Sequence, residues 1–178
     1  MTKKYNELKD DDYVNNSDNI DGEEVNYKTA ESEAEAQEFR DLDDEEILFI
    51  QTCLELADEI IKSFSKNNSI NNYDLELLDN IIDQWNADNT NFGVTENEFV
   101  NSIGAAFGQK LTEQYNMIWT MLTDSYGTDY AITIPEIKLT NFPLSSVLKA
   151  VEDRRVGSLI SISLLTKKQI EELRADNK

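Results

Sequence analysis

Between residues 44 and 64 the apolar residues fall at helical spacing. Ile47, Ile50, Cys53, Leu54, Ala57, Ile60, Ile61 and Phe64 line one face, which predicts an amphipathic helix from Asp44 to Phe64. Asp43 followed by Glu46 reads as a capping box at its start, and Asn67-Asn68 as its end. Leu77, Leu78, Ile81, Ile82 and Trp85 repeat the pattern over about 73–85, so two helices joined by a short polar link are expected to pack as an antiparallel pair. Thr95 with Glu98 opens a third helix carrying Phe99, Ile103, Phe107 and Leu111. Inside it lie Gly104 and Gly108, each costing about 1 kcal/mol against alanine in a helix interior, so a close backbone contact is expected to compensate.

After Asn116 the period changes to two. Residues 117–123 and 129–134 alternate around the turn-forming Asp124-Ser125-Tyr126-Gly127-Thr128, which predicts a β-hairpin. Ile137-Lys138-Leu139 reads as a short extended piece. Pro143 opens a helix over about 144–153, ended by Gly157, and Ser158–Leu164 alternates as a third strand. Thr166 with Gln169 caps a last helix, about 167–174. Helices first and a small antiparallel sheet later make the fold class α+β. Residues 1–40 hold too few apolar side chains to offset chain entropy, so 1–28 are expected to be disordered and 29–40 at most a short polar helix. The domain organisation read from the chain is an acidic segment, 1–40, before a single α+β domain, 41–178.

Charge sharpens the picture. The chain of 178 residues has 36 Asp/Glu against 16 Lys/Arg, a net charge of −20. Such a surface repels phosphate backbones and anionic lipid, and basic pairs such as Arg154-Arg155 and Lys167-Lys168 are too small to offset it. Nucleic acid and membranes are therefore not expected partners, whereas a basic protein would be drawn in at an accelerated rate. No signal peptide or spanning segment is read, and the lone Cys53 forms no internal disulfide, so the expected location is the cytoplasm.

Catalytic equipment is sparse. Histidine is absent, which removes Ser-His-Asp and Cys-His catalysis and histidine-ligated metals. No phosphate-binding glycine loop occurs, so neither a catalytic residue nor a cofactor or metal site is assigned. The run Ser17–Gly22 begins like a calcium loop, but its twelfth position is Lys28 where a bidentate glutamate is needed. Trp119, Tyr126, Tyr130 and Phe142 gather about the predicted hairpin, as core packing or as an aromatic contact patch. The candidate partner-binding residues are Asp41, Asp43, Asp44, Glu45 and Glu46, where the acidic segment meets the first helix.

Gly104-Ala105-Ala106-Phe107-Gly108, Trp119, Asp124 with Gly127, Ala131, Phe142-Pro143 and Val151-Glu152-Asp153-Arg154 resemble a bacterial family known as domain of unknown function 3806, over about residues 99–155. That resemblance implies a bacterial protein and carries over no catalytic residue. The reading that results is a non-enzymatic intracellular binding protein, an acidic immunity protein neutralising a basic toxin such as a nuclease. The alternative is a small-molecule-binding or hydrolytic housekeeping domain with a pocket between hairpin and helices.

Overall fold

The computed structural model describes residues 7–31, 36–64 and 73–176. Five helices and six strands follow in the order β1 (Val14–Ile20), β2 (Glu23–Thr29), β3 (Glu38–Arg40), α1 (Asp44–Phe64), α2 (Leu75–Ala87), α3 (Glu96–Tyr115), β4 (Ile118–Asp124), β5 (Gly127–Ile134), β6 (Leu139–Asn141), α4 (Pro143–Glu152) and α5 (Ser158–Asp176). The α+β class stands. None of the described helices is long and apolar enough to cross a membrane.

The first three helices form where local signals place them. Thr95 and Glu98 cap α3 reciprocally, with Thr95 N donating to Glu98 Oε2 at 2.7 Å. The core lies between α2, α3, α4 and α5, where Phe99, Ile103, Phe107, Leu78, Ile81 and Val147 are fully buried. Trp85 stacks on Phe99 with ring centroids 4.0 Å apart, and Phe92 meets both edge-on. The expected end of α1 at Asn67-Asn68 and the link to α2 lie outside the described residues. Along α1 the expected apolar face is only partly buried: Ile50, Cys53, Ala57, Ile60 and Ile61 are, while Ile47 remains 42% exposed.

Both helix glycines make the close contacts their cost demands. A Cβ on Gly104 would lie 2.7 Å from the Leu144 Cα, and one on Gly108 would lie 2.3 Å from the Trp119 ring. The first lets α4 lie against α3; the second seats β4 on the same helix. Asn116, in the left-handed conformation at φ 57, ends α3 and turns the chain back for that contact.

The main sheet has the order β3-β4-β5-β6, all antiparallel. Its central hairpin, β4 with β5, matches the alternation in the sequence to within two residues at either end. Two strands do not. Ser158–Leu164, expected as the third strand, is the opening of α5. Leu159, Ser163, Thr166 and Ile170 are buried at helical spacing, so the serines and threonine that imitate alternation lie on or beside a helix face. Ser163 is accommodated because the Tyr115 hydroxyl donates to its carbonyl at 2.9 Å. The expected last helix, 167–174, is the second half of the same α5. The third strand is instead β6, which shares only Leu139 with the extended piece expected at Ile137-Lys138-Leu139, because Pro135–Ile137 forms a 3-10 turn; the sheet's other edge is β3. A short polar helix expected over 29–40 is thereby corrected: Glu38–Arg40 pairs with Thr123–Met121.

The N-terminal segment needs a larger correction. Residues 1–28 were expected to be disordered, and residues 1–6 lie outside the described chain, but Val14–Thr29 forms a two-stranded hairpin. Asp21 and Gly22, at φ 54 and 93, make a two-residue loop with both residues left-handed. Its anchor is α5: Val25 is 1% exposed, Lys167 pairs with Asp21, and Lys168 pairs with Asp18 beneath the Tyr27 ring. One buried valine and two ion pairs order a hairpin that composition alone left unsupported.

Candidate functional site

Helix α1, with β4 and α3, lines an open groove of about 870 Å³. The α1 wall presents Ile47, Gln51, Leu54 and Asp58; the α3 wall presents Gln109 and Glu113; Ile118 and Trp119 of β4 close one end, with Asp41 at the rim. The cross-strand pairs Trp119–Ile132 and Met121–Tyr130 put these four side chains on the sheet face that meets the helices. That explains why Trp119 rests on Gly108 and why Tyr130 stacks on Phe49 of α1, with centroids 5.1 Å apart.

Three carboxylates line the groove, and among the described residues no lysine or arginine does. At one end the Tyr73 hydroxyl donates to Asp58 Oδ1 at 3.1 Å. Burial, then the neighbouring charge of Asp58 and that of Glu113, push this hydroxyl up to about 12, so both carboxylates act on one phenol. Gln109 Nε2 donates to Glu113 Oε1 at 2.9 Å, orienting that carboxylate along α3. Apolar surface stands beside this charge: Ile47 is 42% and Ile118 51% exposed. The Trp119 Nε1 is buried and finds no acceptor among the described residues. The groove therefore offers acceptors for a cation and an apolar floor.

The five acidic residues expected to bind a partner divide into two groups. Asp43 and Glu46 are committed to the start of α1, Glu46 N donating to Asp43 Oδ1 and Asp43 N to Glu46 Oε2, each at 2.9 Å. Glu46 also accepts both arms of Arg40, at 2.7 and 2.5 Å. The Arg40 guanidinium, then the Asp43 amide, hold the Glu46 carboxyl down at about 2. Asp44 and Glu45 are exposed, and Asp41 lines the groove. Two of the five are thus structural and three available, and of the three Asp41 lies on the groove itself.

Asp58, Tyr73, Gln109 and Glu113 were not singled out in the sequence. A signal existed for two of them: Gln109 and Glu113 stand four apart on α3. The aromatic residues do not form one patch, since Trp119 faces the groove, Tyr130 packs on α1 and Tyr126 sits in the β4–β5 turn, 53% exposed. Burial pushes the Cys53 thiol up to about 11, which leaves it un-ionised at neutral pH.

Residues 74–158 match the model of a family described as Domain of unknown function (DUF3806). The match runs from the start of α2 to the first residue of α5. It takes in the residues that carried the resemblance, along with the α3 and β4 sides of the groove; α1, with Asp58, lies outside it. A crystal structure from Bacteroides thetaiotaomicron VPI-5482 superposes with a TM-score of 0.57 at 14% identity, covering 87% of this chain and 69% of that one. At that identity the likeness is one of fold. No curated protein matches this chain at a significant level.

Proposed function

We propose that this protein is a non-catalytic intracellular binding protein, and most concretely an acidic immunity protein that neutralises a basic toxin, such as a nuclease, by covering it. The supporting observation is the groove, with three carboxylates on its walls and no cation among its described lining residues. In a chain at −20, an acidic groove with exposed Ile47 and Ile118 complements a basic surface in charge and in apolar contact. Asp44 and Glu45, exposed beside its mouth, extend the field that would steer such a partner. The family model brings no assigned activity to set against this reading.

The test is capture of partners from the native host, followed by titration of the retained protein. The reading expects a basic protein whose own activity is inhibited at one-to-one stoichiometry, with association slowing steeply as salt rises. An acidic or neutral partner, or binding insensitive to salt, would refute it. The second reading, a small-molecule site in the same groove, is supported by its volume. Retention of a low-molecular-weight ligand with no protein partner would favour that reading.

A further inference from the structure

We infer that the groove recognises an arginine side chain, presented by the partner beside an apolar residue, with the guanidinium at the Asp58–Glu113 end. This rests on the reading of a basic partner and narrows what that partner must display.

The two ends of the groove differ in chemistry. One holds carboxylates from two helices, Asp58 on α1 and Glu113 on α3, with Tyr73 between α1 and α2 bonded to the first at 3.1 Å. The other presents the exposed apolar side chains of Ile47 and Ile118, with the single carboxylate of Asp41 at its rim. Two acids approached from opposite walls suit a planar fork with five donors better than an ammonium, which is a compact, strongly hydrated point charge. Tyr73, bonded to Asp58, supplies aromatic surface, on which a guanidinium sheds water at lower cost than an ammonium.

The carboxylates have limited protein competition for their acceptor positions. Glu113 accepts from the neutral amide of Gln109, and Asp58 from the neutral phenol of Tyr73. Neither is in an ion pair among the described residues, unlike Glu46, Asp18 and Asp21. An incoming cation would add charge to existing hydrogen bonds without first displacing a resident one.

Calorimetric titration of the full chain with blocked pentapeptides, a central arginine flanked by leucines and its lysine and glutamate counterparts, tests the inference. The arginine peptide should bind, the lysine peptide more weakly, and the glutamate peptide not at all. Asp58→Asn with Glu113→Gln should weaken the arginine peptide by about tenfold or more. Glu113 is exposed, so Glu113→Gln alone gives the same direction of change should the double variant unfold. No binding of the arginine peptide, equal binding of arginine and lysine, or unchanged binding to Glu113→Gln would overturn the inference. A captured basic partner that tolerates both groove substitutions but is lost on Asp44→Lys with Glu45→Lys would sink this inference while leaving the basic-partner reading intact.

Discussion

Asp79, in the middle of α2, caps the start of α5: its Oδ1 accepts the backbone N–H of Leu159 at 3.0 Å, and its Oδ2 that of Ile160 at the same distance. The carboxylate is 6% exposed. It satisfies amide groups that the first turn of any helix leaves without intrahelical partners, and it does so from an element eighty residues away in sequence. Burial pushes its carboxyl above the ordinary aspartate range even though those amides pull the other way.

Asp79→Ala should therefore destabilise the fold by about 2–4 kcal/mol, because two buried N–H groups lose their acceptor. Since the folded state holds this proton more tightly than the unfolded chain does, its contribution falls as pH rises from about 3.9 through the raised folded value, then levels off. Urea denaturation of wild type and Asp79→Asn across that range measures this as a shrinking wild-type advantage. A wild-type advantage that grows with pH would contradict the assignment.

Glu46 should behave in the opposite sense. Its carboxyl is lowered from 4.5 to about 2 by Arg40 and the Asp43 amide, so its contribution is present above the unfolded value and is lost as pH falls toward 2. The difference in thermal midpoint between wild type and Glu46→Gln should fade over that interval. Arg40→Met should remove most of the pH dependence with it.

Gly104→Ala should destabilise the protein despite a helix-propensity gain of about 1 kcal/mol, because the new Cβ meets the backbone of Leu144 at 2.7 Å. Gly108→Ala meets a side chain instead, and should move the Trp119 ring at a net cost of about 1–3 kcal/mol. A shift in tryptophan emission for Gly108→Ala, and unfolding midpoints for both variants, check this. Wild-type stability in Gly104→Ala would refute the close α3–α4 approach.

Deleting residues 1–31 should leave cooperative unfolding but lower stability by about 1.5–3 kcal/mol, the value of one buried valine, here Val25. Val25→Asp should release the hairpin and match the deletion, as read by amide exchange of Asn15–Lys28. Equal midpoints for the full and shortened chains would show that the hairpin contributes nothing to the domain.

The sequence by itself determined α1 to α3 and the β4–β5 hairpin, because their signals are local: reciprocal caps at Asp43/Glu46 and Thr95/Glu98, apolar residues at fixed period, and a turn run ending in Gly127. It also carried a hairpin signal that composition obscured, since Asp21-Gly22 favours a left-handed two-residue loop, but an isolated hairpin is marginal in water and needed α5 to hold it. Only the tertiary structure decided the state of residues 158–164. Their imperfect alternation suits a strand, and Asp79, arriving from α2, satisfies the amides that make them a helix. The groove was likewise beyond the reach of periodicity. Asp58 and Glu113 sit on different helices, and the packing of α1 against α3 brings their walls together. Spacing along one chain reports what each element needs for itself; which polar groups end up facing one another is fixed by long-range packing.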